Sequence, residues 1–290
     1  SLFFAETHTV VGGRPVGKAM NDAIGPYGSV PKRYLVPTPE SAPATEHTTF
    51  EPYNVARPDV AVLGRNNRTG LQVWSVEHGY PGDFDYREFH RKSGTSGIQY
   101  WRVTGAKTDL AQKDYYHPDW ASYKVDQHAE HFAHMVSDLL RTHYNQTGEY
   151  GLISSNYDTE LFGHWWFEGP QFLANVARQF ARPESPLKLI TCGEYLDRFP
   201  PKGFLALEEG SWGANGDNSV WLNPDTSWTW THIYPAEEAV RQMAKTQKWV
   251  GNETATRLAK QLCRELLLLE SSDWQFLITT GAARDYAEKR

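Results

Sequence analysis

The chain has 290 residues, with 29 Lys and Arg against 35 Asp and Glu, and its formal net charge is −6 at pH 7. This mild acidity argues against a nucleic-acid-binding protein, because such a protein needs a basic surface that neutralises phosphates. Hydrophobic residues make up 40% of the chain and charged residues 22%, which is typical of a globular protein with a sizeable core.

The cysteine count and the hydropathy pattern favour a cytoplasmic protein. Cys192 and Cys263 are far apart in the sequence, which argues against a disulfide framework and favours a reducing compartment. No apolar run reaches the roughly 20 residues that span a bilayer, so we expect no membrane partner. The chain opens on Ser1 and closes within a helical pattern, which indicates a piece of a longer polypeptide.

The first part of the chain predicts two buried strands separated by a long irregular segment. The apolar run Leu2 to Ala5 is followed by Glu6-Thr7-His8, polar residues of the kind that carry sites at strand ends. From Val11 to about Pro58 the sequence is rich in Gly, Pro, Ser and Thr, and we expect a lid or binding loop there. Val60 to Gly64 predicts the second strand, with Arg65 at its end.

The middle of the chain alternates between helical and strand patterns. Ala121 to Tyr144 has apolar residues close to the 3.6-residue period of an amphipathic helix. Tyr150 to Ser155 then predicts a strand, Pro170 to Phe180 a helix, and Leu187 to Thr191 another strand. This alternation favours an α/β fold with a parallel sheet or barrel and helices outside.

The last third of the chain is predicted to be helical. A Trp-rich loop runs from Gly210 to Trp230. Helical patterns follow over Pro235 to Val250, Glu253 to Glu270 and about Trp274 to Glu288.

The densest group of chemically useful residues follows the predicted strand that ends at Ser155. It includes Asp158, His164, Trp165 and Trp166. A carboxyl group beside indole rings has a raised pKa, as a general acid requires, and indole rings stack on the apolar faces of sugars. Equally, Asp158 can cap the following helix while the two Trp residues pack in a core.

These residues resemble a known enzyme family. The run from Tyr157 to Trp166 resembles the fourth conserved region of glycoside hydrolase family 57, in particular of its 1,4-α-glucan branching enzymes. Further stretches resemble the same family, so that the resemblance covers nearly the whole chain. They are Leu63-Gly64-Arg65, Gln72-Val73-Trp74-Ser75, Gly79-Tyr80-Pro81-Gly82-Asp83, Asp85-Tyr86-Arg87-Glu88-Phe89 and Ser271-Ser272-Asp273-Trp274.

The resemblance implies the later part of an incomplete (β/α)7 barrel followed by a C-terminal helical domain. Residues 1–200 would form the barrel part with a long lid loop, and residues 201–290 the Trp-rich loop and helical domain. A retaining mechanism needs two carboxyl groups about 5 to 5.5 Å apart. Asp158 matches the general acid/base, whereas the nucleophilic Glu of the family lies before the matching segment and Glu6 does not correspond to it. The missing N-terminal part is therefore an expected partner, and the chain alone is expected to be inactive.

The resemblance also implies contacts with an α-1,4-glucan such as amylose or glycogen. The matching positions are Arg65, Gly82, Trp74, Trp212, Trp221 and Asp273, with His164 as a further candidate in the motif. The Gly- and Asn-rich surroundings of Trp212 and Trp221 favour sugar contact over packing. Arg65 can instead pair with a carboxylate, and Asp273 can cap the last helix with Ser272 as a competitor.

Two further candidates lie near the start of the chain. In the branching enzymes a mobile loop with a Tyr covers the cleft, and Tyr27 is the preferred match, with Tyr34 close by. His8 can hydrogen-bond a sugar hydroxyl or serve a structural role.

No metal or organic cofactor is expected. His128, His131 and His134 lie three residues apart on the predicted helix, but neither H-E-x-x-H nor H-x-x-E-H occurs, which favours a half-exposed helix face. Branching is the leading interpretation. An α-amylase or 4-α-glucanotransferase of the same family is the nearest alternative, and a non-catalytic glucan-binding fragment is the alternative from another class.

Overall fold

A computed structural model describes residues 1–12, 46–55, 57–74, 79–213 and 216–290. The chain divides into two compact units. Among the described residues, the first unit extends to Gly210 and the second runs from Ser211 to Arg290. The division at residue 200 that the resemblance implies stays a prediction.

A three-stranded mixed sheet lies in the first unit. Its strands are β1 (Leu2–Ala5), β2 (Pro52–Val55) and β3 (Arg57–Gly64), in the order β1-β3-β2. β1 runs parallel to β3, with Ala5 opposite Gly64, whereas β2 runs antiparallel to β3. The predicted strands at Leu2–Ala5 and at 60–64 are confirmed, but the predicted burial of the first is wrong, because Phe3 is 37% and Phe4 48% exposed. β2 lies within the segment that was expected to be irregular.

The first unit has five described α-helices. They are α1 (Thr7–Val11), α2 (Asn67–Trp74), α3 (Pro118–Thr147), α4 (Gly169–Phe180) and α5 (Cys192–Arg198). Of these, α2, α3 and α4 contribute buried residues to one apolar cluster, and α1 contributes Val10 to another. Pro118 begins α3, and Gly148, with φ of 75°, ends it in the left-handed conformation that glycine adopts without strain. Val125 and Phe132 of α3 pack with Phe172 of α4, which confirms both predicted helices.

Two predicted strands are wrong. In the Tyr150–Ser155 stretch a single parallel bridge joins Ser154 to Arg65. The stretch 187–191 forms no strand and is largely exposed, and Thr191 instead begins α5 through a capping box with Glu194. Both segments have the apolar, β-branched composition of strands, but no described neighbour pairs with them along their length.

The second unit is helical, as predicted, with different helix boundaries. Its helices are α6 (Ser227–Thr246), α7 (Glu253–Leu269), α8 (Asp273–Thr280) and α9 (Arg284–Glu288). α6 begins eight residues before the predicted start, so Trp228 and Trp230 lie on a helix and not in a loop. Gly281, with φ of 75°, divides the predicted last helix into α8 and α9. Within the described ranges, no helix is both long and apolar enough to cross a membrane.

Candidate active site

A carboxylate and a guanidinium group meet at the carboxyl ends of the parallel strands β1 and β3. Arg65 follows β3, and its Nη1 lies 3.1 Å from Oε2 of Glu6, which follows β1. The backbone N–H of Arg65 donates to the carbonyl of Ala5, and the hydroxyl of Thr7 donates to the carbonyl of Arg65. Arg65 therefore pairs with a carboxylate, the alternative that the sequence left open.

A glycine leaves room for the Arg65 side chain. A Cβ atom added to Gly70 of α2 would lie 3.3 Å from both Nε and Nη2 of Arg65. The guanidinium group thus lies between Glu6 and the first turns of α2, and its position is fixed by an ion pair on one side and by close packing on the other.

The segment that leads to Asp158 is bonded to the same end of the sheet. The N–H of Asn66 donates to the carbonyl of Ser154, at 2.8 Å. The hydroxyl of Ser155 donates to Oγ1 of Thr69, and that of Tyr157 donates to the carbonyl of Thr69. Burial raises the pKa of Tyr157 to about 12, so its hydroxyl stays protonated and keeps donating.

Asp158 itself is exposed and follows this bonded segment directly. It precedes the 3₁₀ turn Thr159–Leu161, and its side chain makes no capping hydrogen bond to that turn. The capping role that the sequence allowed for Asp158 is therefore wrong. Asp158 is thus an exposed carboxylate that follows a segment bonded to Asn66 and Thr69. When protonated it can donate a proton to a bound molecule, and when ionised it can accept one.

The two tryptophans of the motif differ in burial. Trp166 is 1% exposed and packs on Phe172 with ring centroids 4.8 Å apart. Trp165 is half-buried, and its ring lies 4.0 Å from that of Phe89. His164 is exposed at the edge of Trp165, with centroids 4.9 Å apart. The core interpretation therefore holds for Trp166, and His164 stays a candidate.

Two other predicted contacts lie on and after α2. Trp74 is the last residue of α2 and is half-buried against the cluster that contains Val125. Gly82 is exposed at the end of the 3₁₀ turn Tyr80–Gly82, whose Tyr80 is buried.

His8 lies on α1 and is 7% exposed, which favours its structural role. Tyr27 and its alternative Tyr34 lie outside the described residues.

Sequence reasoning missed one buried acid close to the motif. Glu168 is 3% exposed, and its Oε1 accepts a hydrogen bond from the backbone N–H of Arg87. Burial raises the pKa of Glu168, while hydrogen bonds from Tyr116 and from the backbone of Arg87 act in the opposite direction. The signal in the sequence was an acid placed between Phe167 and the start of α4, where a buried position is expected.

The histidines of α3 make contacts other than metal ligation. Nδ1 of His131 lies 2.6 Å from the hydroxyl of Tyr80, and Nδ1 of His128 lies 2.7 Å from that of Tyr86. Among the described residues there is no cluster of three or more His, Cys, Asp or Glu that could hold a metal ion.

Three predicted sugar contacts lie in the second unit. Trp212 is 41% exposed and stacks on Phe276 at 5.6 Å and 28°. Trp221 contacts Trp212 at 5.4 Å, and its Nε1 donates to the carbonyl of Ser272. Ser272 precedes Asp273, which is exposed in the first turn of α8. The structure therefore gathers Trp212, Trp221 and Asp273 in one part of this unit.

Known proteins resemble this chain in sequence and in fold. Residues 232–290 match the family model described as 1,4-alpha-glucan branching enzyme, C-terminal. Over 250 residues the chain is 50% identical to a 1,4-alpha-glucan branching enzyme of Thermococcus kodakarensis, and the alignment covers 85% of this chain and 36% of that relative. The crystal structure of a GH57 branching enzyme from Thermococcus kodakaraensis, in complex with glucose and additives, matches with a TM-score of 0.78 and 43% identity. That match covers 99% of this chain and 49% of the other.

The chain is related to the glycoside hydrolase family 57 branching enzymes. The resemblance that the motifs around Asp158 indicate is thereby confirmed, as is a mixed α/β fold. The crystal structure of the α-amylase AmyC from Thermotoga maritima also matches, with a TM-score of 0.67 and 28% identity over 100% of this chain and 52% of that one. The chain spans about a third of the curated branching enzyme and about half of these solved structures.

Proposed function

We propose that the chain is part of a 1,4-α-glucan branching enzyme, which cleaves an α-1,4 linkage and rejoins the released chain through an α-1,6 linkage. The observation that carries the proposal is the position of Asp158. It is an exposed carboxylate that follows a segment bonded to Asn66 and Thr69, two residues that come shortly after β3. Relatives that share this region are named branching enzymes.

Asp158 acts as the general acid and base. It protonates the oxygen of the leaving glucan, and then removes the proton from the 6-hydroxyl of the incoming glucan. The hydroxyl of Tyr157 is bonded to the carbonyl of Thr69, so the segment keeps its place while Asp158 changes protonation state.

The second carboxyl group attacks the anomeric carbon as the leaving glucan departs, and it holds the glycosyl unit until the 6-hydroxyl of the incoming glucan displaces it. This group comes from a further segment of the complete enzyme. The chain spans 36% of the curated relative, which leaves room for such a segment. In the described residues β1 pairs with β3 alone, so its other edge is open to a further strand, as a continuing (β/α)7 barrel requires. Residues 1–200 belong to that incomplete barrel and residues 201–290 to the helical domain, in a cytoplasmic enzyme.

The remaining candidates bind the α-1,4-glucan. In the first unit they are Arg65, Trp74, Gly82 and His164. His8 is a further candidate of this unit, but its burial favours a structural role. In the second unit they are Trp212, Trp221 and Asp273. Tyr27, which lies outside the described residues, stays the preferred match for the Tyr that covers the cleft in the branching enzymes. Support for the second set comes from the exposed ring of Trp212, which packs with Trp221, the residue whose Nε1 donates to the carbonyl of Ser272, next in sequence to Asp273.

An α-amylase activity is the second candidate function, because AmyC of Thermotoga maritima covers the whole chain at a TM-score of 0.67. The two functions share the carboxylate pair and differ in the acceptor. When water is the acceptor, the number of reducing ends increases. When the 6-hydroxyl of a sugar is the acceptor, the number of reducing ends stays the same and the number of α-1,6 linkages increases.

The decisive experiment uses the complete enzyme with amylose as substrate. Asp158→Asn should lower turnover by about a thousandfold or more and leave amylose binding within about twofold, because only proton transfer is removed. New α-1,6 linkages are counted from the chains that a debranching enzyme releases, and hydrolysis from reducing ends. Asp138→Asn is the matched control, since this acid is exposed on α3 in an ion pair with Arg141.

Three outcomes decide between the functions. Branching that Asp158→Asn abolishes and Asp138→Asn preserves supports the proposal. An increase in reducing ends without α-1,6 linkages contradicts it in favour of the amylase. If the wild-type complete enzyme binds amylose but shows no turnover, both enzyme functions are contradicted and the non-catalytic glucan-binding function is supported.

A further inference from the structure

Three aromatic side chains from two separate loops contact one another. The ring centroids of Phe89 and Trp165 lie 4.0 Å apart at 40°, and those of His164 and Trp165 lie 4.9 Å apart at 73°. Phe89 also meets the ring of His164, at 5.4 Å and 79°. Each of the three rings therefore contacts the other two.

The loop that carries Phe89 is anchored at this residue and at the one before it. Glu88 forms an ion pair of 3.1 Å with Lys113, and both side chains are buried. The N–H of Glu88 donates to the carbonyl of Trp101, and the side-chain amide of Gln99 donates to the carbonyl of Phe89. The ring of Phe89 therefore extends from a fixed backbone.

His164 and Trp165 belong to the same folded segment as Asp158. The N–H of Leu161 donates to the carbonyl of Asp158 at 3.3 Å, and the N–H of Trp165 donates to the carbonyl of Glu160 at 3.4 Å. These two bonds connect the start of the segment to its end. The three rings are thus joined through the backbone to the turn that follows Asp158.

His164 is the exposed member of the three, whereas Phe89 and Trp165 are half-buried. Within the described part of the chain, the imidazole of His164 makes ring contacts and no hydrogen bond. Its orientation therefore depends on the two rings that it meets edge to face, and its two nitrogens remain available to a ligand.

Phe89 has further neighbours around its ring. Besides Trp165 and His164, it meets the ring of His90 at 5.2 Å, and Nζ of Lys92 lies 5.7 Å from its ring centre. A half-buried ring with these neighbours supports other side chains and offers little surface of its own to a ligand.

We propose that Phe89 is a positioning residue that orients His164 for contact with a bound α-1,4-glucan. The inference rests on the proposed function for the class of its ligand and for His164 as a glucan contact. Because the ring contacts restrict the rotamers of His164 before the glucan binds, less conformational entropy is lost when its nitrogens bond the sugar hydroxyls. Phe89 thus affects glucan affinity and not proton transfer by Asp158.

The test is a double-mutant cycle in the complete enzyme. Affinity for maltoheptaose is measured by calorimetry in an Asp158→Asn background, so that the ligand is not consumed, and branching kinetics are measured with amylose in the active enzyme. Phe89→Ala should weaken affinity and raise KM about three- to tenfold and leave kcat within about twofold. In a His164→Ala background, Phe89→Ala should cause little further loss of affinity, because Phe89 acts through His164.

Three variants control for volume and folding. Phe84→Ala is the matched control, since Phe84 is 52% exposed earlier in the same loop, and it should leave affinity unchanged. Phe89→Tyr should keep the affinity of the parent enzyme because it keeps the ring. Phe89→Leu keeps apolar volume without a ring and should lose affinity, and it replaces Phe89→Ala in the cycle if thermal melts show that the alanine variant is unfolded.

Additive losses of affinity in the double variant would overturn the inference, because Phe89 would then act independently of His164. Unchanged affinity in Phe89→Ala, an equal loss in Phe84→Ala, or no binding of maltoheptaose by the parent enzyme would also overturn it. The expected coupling in an enzyme that makes no α-1,6 linkages contradicts only the proposed function, and branching with additive losses contradicts only the role of Phe89.

Discussion

The hydroxyl oxygen of Tyr86 lies 2.7 Å from Nδ1 of His128, which joins the loop after Gly82 to helix α3. Nε2 of the same ring lies 3.5 Å from Oδ2 of Asp83, and Tyr80 stacks on the ring at 4.5 Å. A neutral imidazole fits these neighbours, because it accepts at Nδ1 and donates at Nε2. The turn that presents Gly82 therefore depends on an uncharged His128.

Acid should weaken the first unit through His128. Burial lowers the pKa of His128 from 6.5 to about 4, with attraction by Asp83 opposing and repulsion by Lys124 and His131 adding to the shift. His128 thus binds a proton more readily in the unfolded chain than in the folded one. The free energy of unfolding is therefore highest above pH 6.5, and it falls by up to about 3 kcal/mol as the pH drops towards 4. Urea unfolding at pH 7 and pH 5 measures this loss.

The matched variants for this prediction are His128→Gln and His134→Gln. His128→Gln should remove this part of the pH dependence, whereas His134→Gln, at an exposed position of the same helix, should keep it. An unchanged pH dependence in His128→Gln would contradict the assignment.

Gly70→Ala should lower glucan affinity without lowering stability. The new Cβ would press on the guanidinium group of Arg65 at 3.3 Å and displace it from Glu6. Alanine also favours a helix by about 1 kcal/mol, which offsets the contact. Calorimetric titration with maltoheptaose and a thermal melt measure the two effects. Gly193→Ala, in open space on α5, should leave the affinity unchanged and raise the melting temperature slightly. A large drop in melting temperature would instead indicate a general packing fault.

Glu168 should respond oppositely to two substitutions. Because burial raises its pKa, ionisation disfavours the folded state, and stability decreases as the pH rises through the unfolded pKa of about 4.5 towards the folded value. Glu168→Gln keeps an acceptor for the N–H of Arg87 and removes the charge, so stability at pH 7 should rise by about 1 kcal/mol. Glu168→Ala should lower it by about 2 kcal/mol through the unpaired N–H and the cavity. Thermal melts at pH 7 decide the sign.

Gly213→Ala should destabilise the second unit. A Cβ there would lie 2.6 Å from Cζ3 of Trp221, so the indole ring has to move, at a cost of about 2 kcal/mol. The double variant Gly213→Ala with Trp221→Ala removes the ring that causes the clash. Its loss of stability should therefore be smaller than the sum of the two single losses, and additivity would show that the ring is not the cause.

The sequence predicts helices of this chain better than strands. The 3.6-residue period of apolar residues from Ala121 to Tyr144 is sufficient to predict a helix between Pro118 and Gly148, because a helix forms its hydrogen bonds within itself. A strand depends on a partner that is distant in the sequence. For this reason Leu187–Thr191 has a strand composition without a strand, and Pro52–Val55 is a strand inside a segment with loop composition.

The candidate site was predictable in its residue types and not in its pairings. Motif resemblance singled out Arg65 and Asp158, but the bond between Arg65 and Glu6 follows from the parallel register of β1 and β3, which no local pattern records. The exposure of Asp158 and the burial of Trp166 also depend on tertiary packing. Gly163, with φ of 100°, lies in the loop between them.

The alternation of exposed and buried residues in this loop determines how substitutions in the motif have to be interpreted. Residues of the motif are neighbours in sequence but face different surroundings: Asp158 and His164 face solvent, and Trp166 fills the interior. Loss of activity on replacing Trp166 is therefore expected to reflect a collapsed interior, and only replacements at the solvent-facing positions report on chemistry.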